Sequence, residues 1–145
     1  MILLMELVYV MKIYIKDFYT NVKKIENIWK ENNMDFNEVI LKSISEKKGF
    51  DILVYDMRTL TPFIDTMIVC STNNLRQNYA IATNIKDRLK EAGYKNSIRM
   101  EGDSASKWIL MDLNETVVHL FVKEERQVYQ LDRLYCDVPV KRYDL

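Results

Sequence analysis

The segment WILMDLNETVVHLF, Trp108 to Phe121, places two runs of β-prone apolar residues on either side of a polar Asn114-Glu115 pair. That pattern predicts an antiparallel hairpin. A two-residue turn at Asn114-Glu115 sets Leu113 opposite Thr116, Asp112 opposite Val117, Leu110 opposite His119 and Trp108 opposite Phe121. Side chains alternate across a strand, so two faces follow. One carries Ile109, Met111, Leu113, Thr116, Val118 and Leu120, which is nearly all apolar and calls for a helical cover. The other carries Trp108, Leu110, Asp112, Val117, His119 and Phe121.

The second face holds the chain's single histidine, with Asp103, Ser104 and Glu115 close by in sequence. Asp112 and His119 are diagonal neighbours across the hairpin, within reach of one another. The plain expectation is an Asp112–His119 hydrogen bond that satisfies two half-buried groups. The sharper alternative is half of a catalytic site. Trp108 and Phe121 form an aromatic pair of the kind that anchors protein partners.

Working outward, Met34–Lys48 reads as a helix, with Phe36, Val39, Ile40, Ser43, Ile44 and Lys47 on one stripe and Gly49 as its stop. DILVYDM from Asp51 and TMIVCS from Thr66 read as strands joined by a turn through Thr61-Pro62. Ser71, Thr72 and Asn73 are N-cap candidates for a helix marked by Leu75, Ala82, Ile85, Leu89 and Ala92 and closed by Gly93. SIRM, residues 97–100, is a short strand before the hairpin. A last helix is expected through EERQVYQLDRLY, residues 124–135, with Val128, Leu131 and Leu134 facing inward. The order αββαβββα gives an α+β fold, three-layer α/β at most, built on a mixed five-stranded sheet with helices packed on it. Residues 1–33 form an extension before a domain spanning 34–145. Within them NVKKIENIWKENN has helical spacing, with Val22, Ile25, Ile28 and Trp29 on one side, which leaves a docking helix as the alternative.

Composition narrows the functional classes. The 145 residues are 48% hydrophobic with only 3 Gly and 2 Pro, which suits one folded domain. Lys+Arg and Asp+Glu are both 21. A protein held by phosphate neutralisation would show a basic excess, so direct nucleic-acid binding is disfavoured. Cys70 and Cys136 lack metal-type spacing; Cys70, inside MIVCS, reads as a buried thiol, and two free thiols fit a reducing compartment. One histidine leaves a zinc site short of ligands. The N-terminal apolar stretch is interrupted by Glu6 and Lys12, too short for a bilayer span, and lacks signal-peptide flanks. The expected location is the cytoplasm.

Catalytic patterns are missing. The sequence has no G-x-S-x-G elbow, no G-x-x-x-x-G-K-[ST] or G-x-G-x-x-G phosphate loop, and no Asp-x-Asp pair for two-metal chemistry. Asp51 and Asp56 lie at opposite ends of a strand, and Glu124-Glu125 suits the acidic first turn of a helix. No catalytic residue, metal site or cofactor is expected.

The ordered blocks DILVYDMR, IDTMIVCSTNNLRQ, EGDSASKWILMDLNETVVHLF and EERQVYQLDRLYCDVP resemble the ribosomal silencing factors, the Iojap-like family, from about Met34 to Pro139. The chain departs from that pattern at Thr72, where the family has glycine, at Asn114-Glu115, where it turns with Gly-Asp, and at Tyr135, where it prefers Trp. The resemblance implies a nucleotidyltransferase-like fold without its catalytic motif. It also implies a translational repressor that binds the large ribosomal subunit through ribosomal protein L fourteen and blocks joining of the small subunit when nutrients are short. Homodimers and organellar relatives that assist large-subunit assembly are also implied. Carried onto matching positions, the contact face is Trp108, Leu110, Asp112, His119 and Phe121, with Asp65 and Arg76 as further candidates. Residues 34–145 carry 17 acidic and 16 basic side chains, a net of −1 that suits docking on protein and not on rRNA phosphate. The alternatives from other classes are a nucleotide-binding or nucleotidyltransferase-type enzyme and a homodimeric interaction module.

Overall fold

The structure is a computed structural model that describes residues 15–24 and 35–143. It divides into two units, one reaching Asp35 and the other starting at Phe36. In the first, residues 15–24 form helix α1, with Ile15, Phe18, Tyr19 and Val22 at helical spacing. Only the start of the helix expected over NVKKIENIWKENN falls there; Ile25, Ile28 and Trp29 lie outside the described residues.

The second unit runs α2 (Phe36–Glu46), β1 (Phe50–Asp56), β2 (Thr66–Thr72), α3 (Leu75–Glu91), β3 (Arg99–Glu101), β4 (Trp108–Asp112), β5 (Thr116–Val122), α4 (Lys123–Tyr129), α5 (Leu131–Leu134) and β6 (Val140–Tyr143). The strands form one sheet in the order β3-β4-β5-β2-β1-β6. β2 and β5 are parallel, and the other neighbours are antiparallel. The fold is therefore α+β with a mixed sheet, as expected, but the sheet has six strands, not five. The extra strand, β6, escapes pattern reading because Lys141 and Arg142 break its apolar run. It is an edge strand, exposed along most of its length, and edges tolerate charge. β2 reads as continuously apolar because it lies inside the sheet, where both faces are covered.

The hairpin has the expected register: Trp108 pairs with Phe121, Leu110 with His119, and Asp112 with Val117. At the turn, Leu113 N donates to Thr116 O at 2.9 Å, and Asn114 takes the positive φ of 69°. Ile109, Met111, Val118 and Leu120 are fully buried beneath α2 and α3, where they meet Ile40, Ile44, Ile81, Ile85 and Leu89. Each such aliphatic side chain contributes roughly 1.5–3 kcal/mol through burial. This is the main core.

The helix ends differ in detail from expectation. The N-cap of α3 is Asn74, whose side chain accepts from Gln77 N at 2.8 Å, and not Ser71, Thr72 or Asn73. Ser71 and Thr72 belong to β2 and are buried, with Thr72 Oγ1 bonded to Asn78 Oδ1. Gly93 closes the helix with φ 87°. After α2 the left-handed position falls on Lys48, at φ 62°, and not on Gly49. Gly49 is small for a different reason: a Cβ there would stand 2.5 Å from Ile44 Cγ2 and 2.6 Å from Cys70 Sγ. Both neighbours are fully buried, as was expected of Cys70, so neither yields easily. Gly49→Ala should destabilise the unit by ~2 kcal/mol through overpacking, read as a lower urea midpoint at unchanged slope.

The expected single helix over residues 124–135 is two helices. Gln130 adopts φ 49°, ψ 49°, a left-handed break that redirects the chain between α4 and α5. Of the three residues expected to face inward, Leu131 is half-buried against the sheet, whereas Val128 and Leu134 are 71% and 70% exposed. A straight-helix stripe does not survive the break. α4, α5 and the segment ending at Val138 cover the second face of the sheet over β1, β2 and the end of β5, around Tyr55, Met57, Met67, Val69 and Phe121.

Candidate partner-docking face

On that second face, β4 and β5 present Trp108, Leu110, Asp112, Val117 and His119, all half-buried. β3 extends the same face outward, since Arg99 pairs with Asp112 and Glu101 with Leu110. An apolar, aromatic strip is thus bordered by one cation and one anion on the edge strand.

Trp108 is held from several directions. Its ring stacks on Phe121 at 4.9 Å between centroids and 24° between planes. Tyr129 of α4 lies 4.5 Å away on a tilted ring contact. The Trp108 indole Nε1–H donates to His119 Nδ1 at 3.1 Å. The expected Asp112–His119 bond does not form: the Asp112 carboxylate instead accepts from Asn114 N at 3.1 Å and caps the hairpin turn. The amide lies two residues along the turn, and the His119 ring instead uses its Nδ1 to accept from Trp108.

An indole can only donate, so His119 Nδ1 must offer a lone pair and the ring proton resides on Nε2. Burial disfavours the charged imidazolium and lowers the His119 pKa to about 4. At neutral pH the ring is an uncharged acceptor. Among the described residues no hydrogen bond joins it to Asp112 or to a serine, threonine or cysteine hydroxyl or thiol, so the grouping of His119 with acids is not held together as half of a catalytic site.

Phe121 is fully buried and acts as the floor under Trp108. The two further candidates lie at opposite ends of the sheet. Asp65 precedes Thr66, which pairs with Thr116, and Asp65 N donates to Glu115 O at 2.7 Å. Arg76, exposed in the first turn of α3, follows Thr72, which pairs with Val122 near Trp108. Asp65 therefore neighbours the hairpin turn, and Arg76 neighbours its open end.

Sequence reading missed Tyr129 and the network that places it. Arg126 is almost wholly buried, and its Nε and Nη2 each donate to the Asp132 carboxylate at 3.1 Å. Its Nη1 donates to Ser71 Oγ at 2.8 Å and to the Asp51 carbonyl. The Tyr55 hydroxyl completes the cluster by donating to Asp132 Oδ1 at 2.8 Å. Burial pushes the Asp132 pKa up, but the bonds from Arg126 and Tyr55 outweigh it, so the carboxyl sits below its ordinary value. Burial, then the Asp132 bond, raises the Tyr55 pKa well above the phenol range. Arg126 and Asp132 are six apart, a separation that a continuous helix would not bring together. The break at Gln130 does.

Among the described residues no cluster of His, Cys, Asp and Glu is arranged to hold a metal ion, and no helix is long and apolar enough to cross a membrane.

The family model described as ribosomal silencing factor during starvation matches residues 24–145. The chain belongs to this family. The ribosomal silencing factor RsfS of Bacillus subtilis is 34% identical over 113 residues, covering 78% of this chain and 95% of the relative. A crystal structure of a Chromobacterium violaceum protein superposes with a TM-score of 0.64 at 31% identity, over 70% of this chain and 87% of that one. A more distant relative, 21% identical over 100 residues and covering 68% of this chain and 44% of its own length, is the mouse mitochondrial assembly of ribosomal large subunit protein 1. As a silencing factor, the chain belongs to a family of ribosome-associated regulators, and the hairpin that decides the fold also carries the aromatic face.

Proposed function

We propose that this silencing factor docks on the large ribosomal subunit, through ribosomal protein L fourteen, with the face centred on Trp108, Leu110, Asp112 and His119. Phe121 backs that face, and Asp65 and Arg76, near the two ends of β2, are further candidate contacts. Occupying the subunit in this way blocks the small subunit sterically and slows translation in nutrient limitation, in the cytoplasm and without catalysis. The observation that carries the reading is Trp108: a large aromatic, partly open to a partner and already immobilised by its own neighbours, which is the character of an interface hot spot. The near-neutral charge, 21 basic against 21 acidic residues, favours a protein contact over rRNA phosphate. The large subunit is also what the mouse relative's name assigns to that protein.

Purified subunits sedimented with and without the protein provide the test. The expected result is fewer joined ribosomes, with the protein migrating alongside the large subunit. An unchanged gradient overturns the reading. Saturable binding of a nucleoside triphosphate with Mg²⁺, measured by calorimetry, would favour the enzyme alternative instead.

A further inference from the structure

We propose that His119 is the positioning residue of this face, its Nδ1 fixing the Trp108 indole in the orientation a partner meets. The inference rests on the docking reading above and assigns His119 a role through Trp108.

The hairpin register makes the arrangement rigid. Trp108 pairs with Phe121, and Leu110 pairs with His119, so the Nε1–H···Nδ1 bond runs diagonally between two hydrogen-bonded strands. The indole is thereby tied at its only polar atom, stacked on Phe121 beneath and bounded by Tyr129. A side chain ordered before docking loses little freedom on docking, which favours the complex. Phe121 and Tyr129 restrain the ring plane through ring contacts, and neither accepts from the indole here. His119 alone supplies that acceptor, and the bond distinguishes one flip of the ring from the other.

The bond also requires a neutral imidazole. A protonated ring carries N–H at both nitrogens, which would set Nδ1 against the indole as donor to donor. The charged and titratable groups facing His119 are few. Asp112 on β4 is diagonal to it and engaged with Asn114, Glu101 and Arg99 lie beyond on β3, and Tyr129 lies on α4. From β2 its neighbours are Met67, Val69 and Ser71, which carry no charge. Apolar surroundings keep the ring neutral until well below its ordinary titration, so the arrangement persists through neutral pH and fails in acid.

The test uses the full chain with ¹⁵N-labelled tryptophan, in which Trp29 serves as an internal reference. His119→Phe removes the acceptor while keeping a flat ring, and His119→Gln restores an acceptor. The Trp108 indole N–H resonance should move and its exchange should accelerate about tenfold in His119→Phe, with recovery in His119→Gln. Binding to purified large subunits should weaken about tenfold in His119→Phe and recover in His119→Gln. On acidification the wild-type indole resonance should titrate with a midpoint at about pH 4, whereas that of His119→Gln stays flat. An unmoved Trp108 resonance in His119→Phe overturns the proposal, and so does equal weakening in both variants. If wild-type protein fails to bind subunits, the docking reading falls, and the indole resonances still decide whether His119 positions Trp108.

Discussion

Trp108→Ala should reduce binding to large ribosomal subunits by a factor of about 30 or more, the loss typical when an aromatic hot spot of at least ~2 kcal/mol is truncated. The expectation follows from what surrounds the side chain. Its ring stacks on the fully buried Phe121 and meets Tyr129 while remaining partly exposed, so a partner would bury the rest of an already ordered indole. Truncation removes that area and also leaves His119 Nδ1 without its donor. The fold should survive, because the main core lies on the other face of the sheet, around Ile109, Met111, Val118 and Leu120. Co-sedimentation measures binding, and an unchanged far-ultraviolet spectrum with a cooperative melt confirms folding. A folded Trp108→Ala protein that binds as tightly as the wild type would remove Trp108 from the interface. A Leu110→Ala companion should show a smaller loss, since an aliphatic side chain contributes less area.

The hairpin was legible because two independent signals agreed. Alternation over Trp108–Asp112 and Thr116–Val122 set the faces, and the polar Asn114-Glu115 pair set the register. Polar partners were harder to read. Asp112 and His119 are placed by the sheet as expected, yet each bonds elsewhere, because sequence spacing gives proximity and not the competition among donors. Asn114's amide and the Trp108 indole were the better-placed donors. The region after β5 failed for another reason. Val128, Leu131 and Leu134 have helical spacing, but a left-handed Gln130 breaks the helix between the first and second of them. Nothing in the side chain of glutamine announces that conformation. On either side of Gln130, Arg126 and Asp132 bond to one another and to Ser71, Asp51 and Tyr55, contacts that sequence periodicity cannot show. For the same reason Tyr129 was missed from the docking face, although it touches Trp108 more closely than Phe121 does.

That network sets the second large effect. Asp132→Ala should destabilise the protein by ~3 kcal/mol, on the order of 10 °C or more in Tm for a unit of this size. The Arg126 side chain is 10% exposed, so removing its carboxylate strands a guanidinium that water reaches poorly. Two of its bonds are lost, and the Tyr55 hydroxyl, buried in the second core, loses its acceptor as well. The side chain of Asp132 itself is 40% exposed, which limits the effect to the lower part of the range for buried ion pairs. Asp132→Asn, which keeps an acceptor for Tyr55, should lose about half as much. The pH dependence has a definite sign. The folded carboxyl titrates below its unfolded value, so its contribution is complete above pH ~4 and lost as pH falls through the folded pKa. The gap between wild type and Asp132→Ala should therefore narrow only in strong acid. Replacing both partners, Arg126→Met with Asp132→Ala, removes the stranded charge and should recover part of the stability lost in Asp132→Ala. Additive losses in the double variant would mean that packing, and not the ion pair, holds α4 and α5 against the sheet. Because α4 carries Tyr129 to Trp108, a recovered melt accompanied by recovered docking would tie this buried pair to the geometry of the binding face.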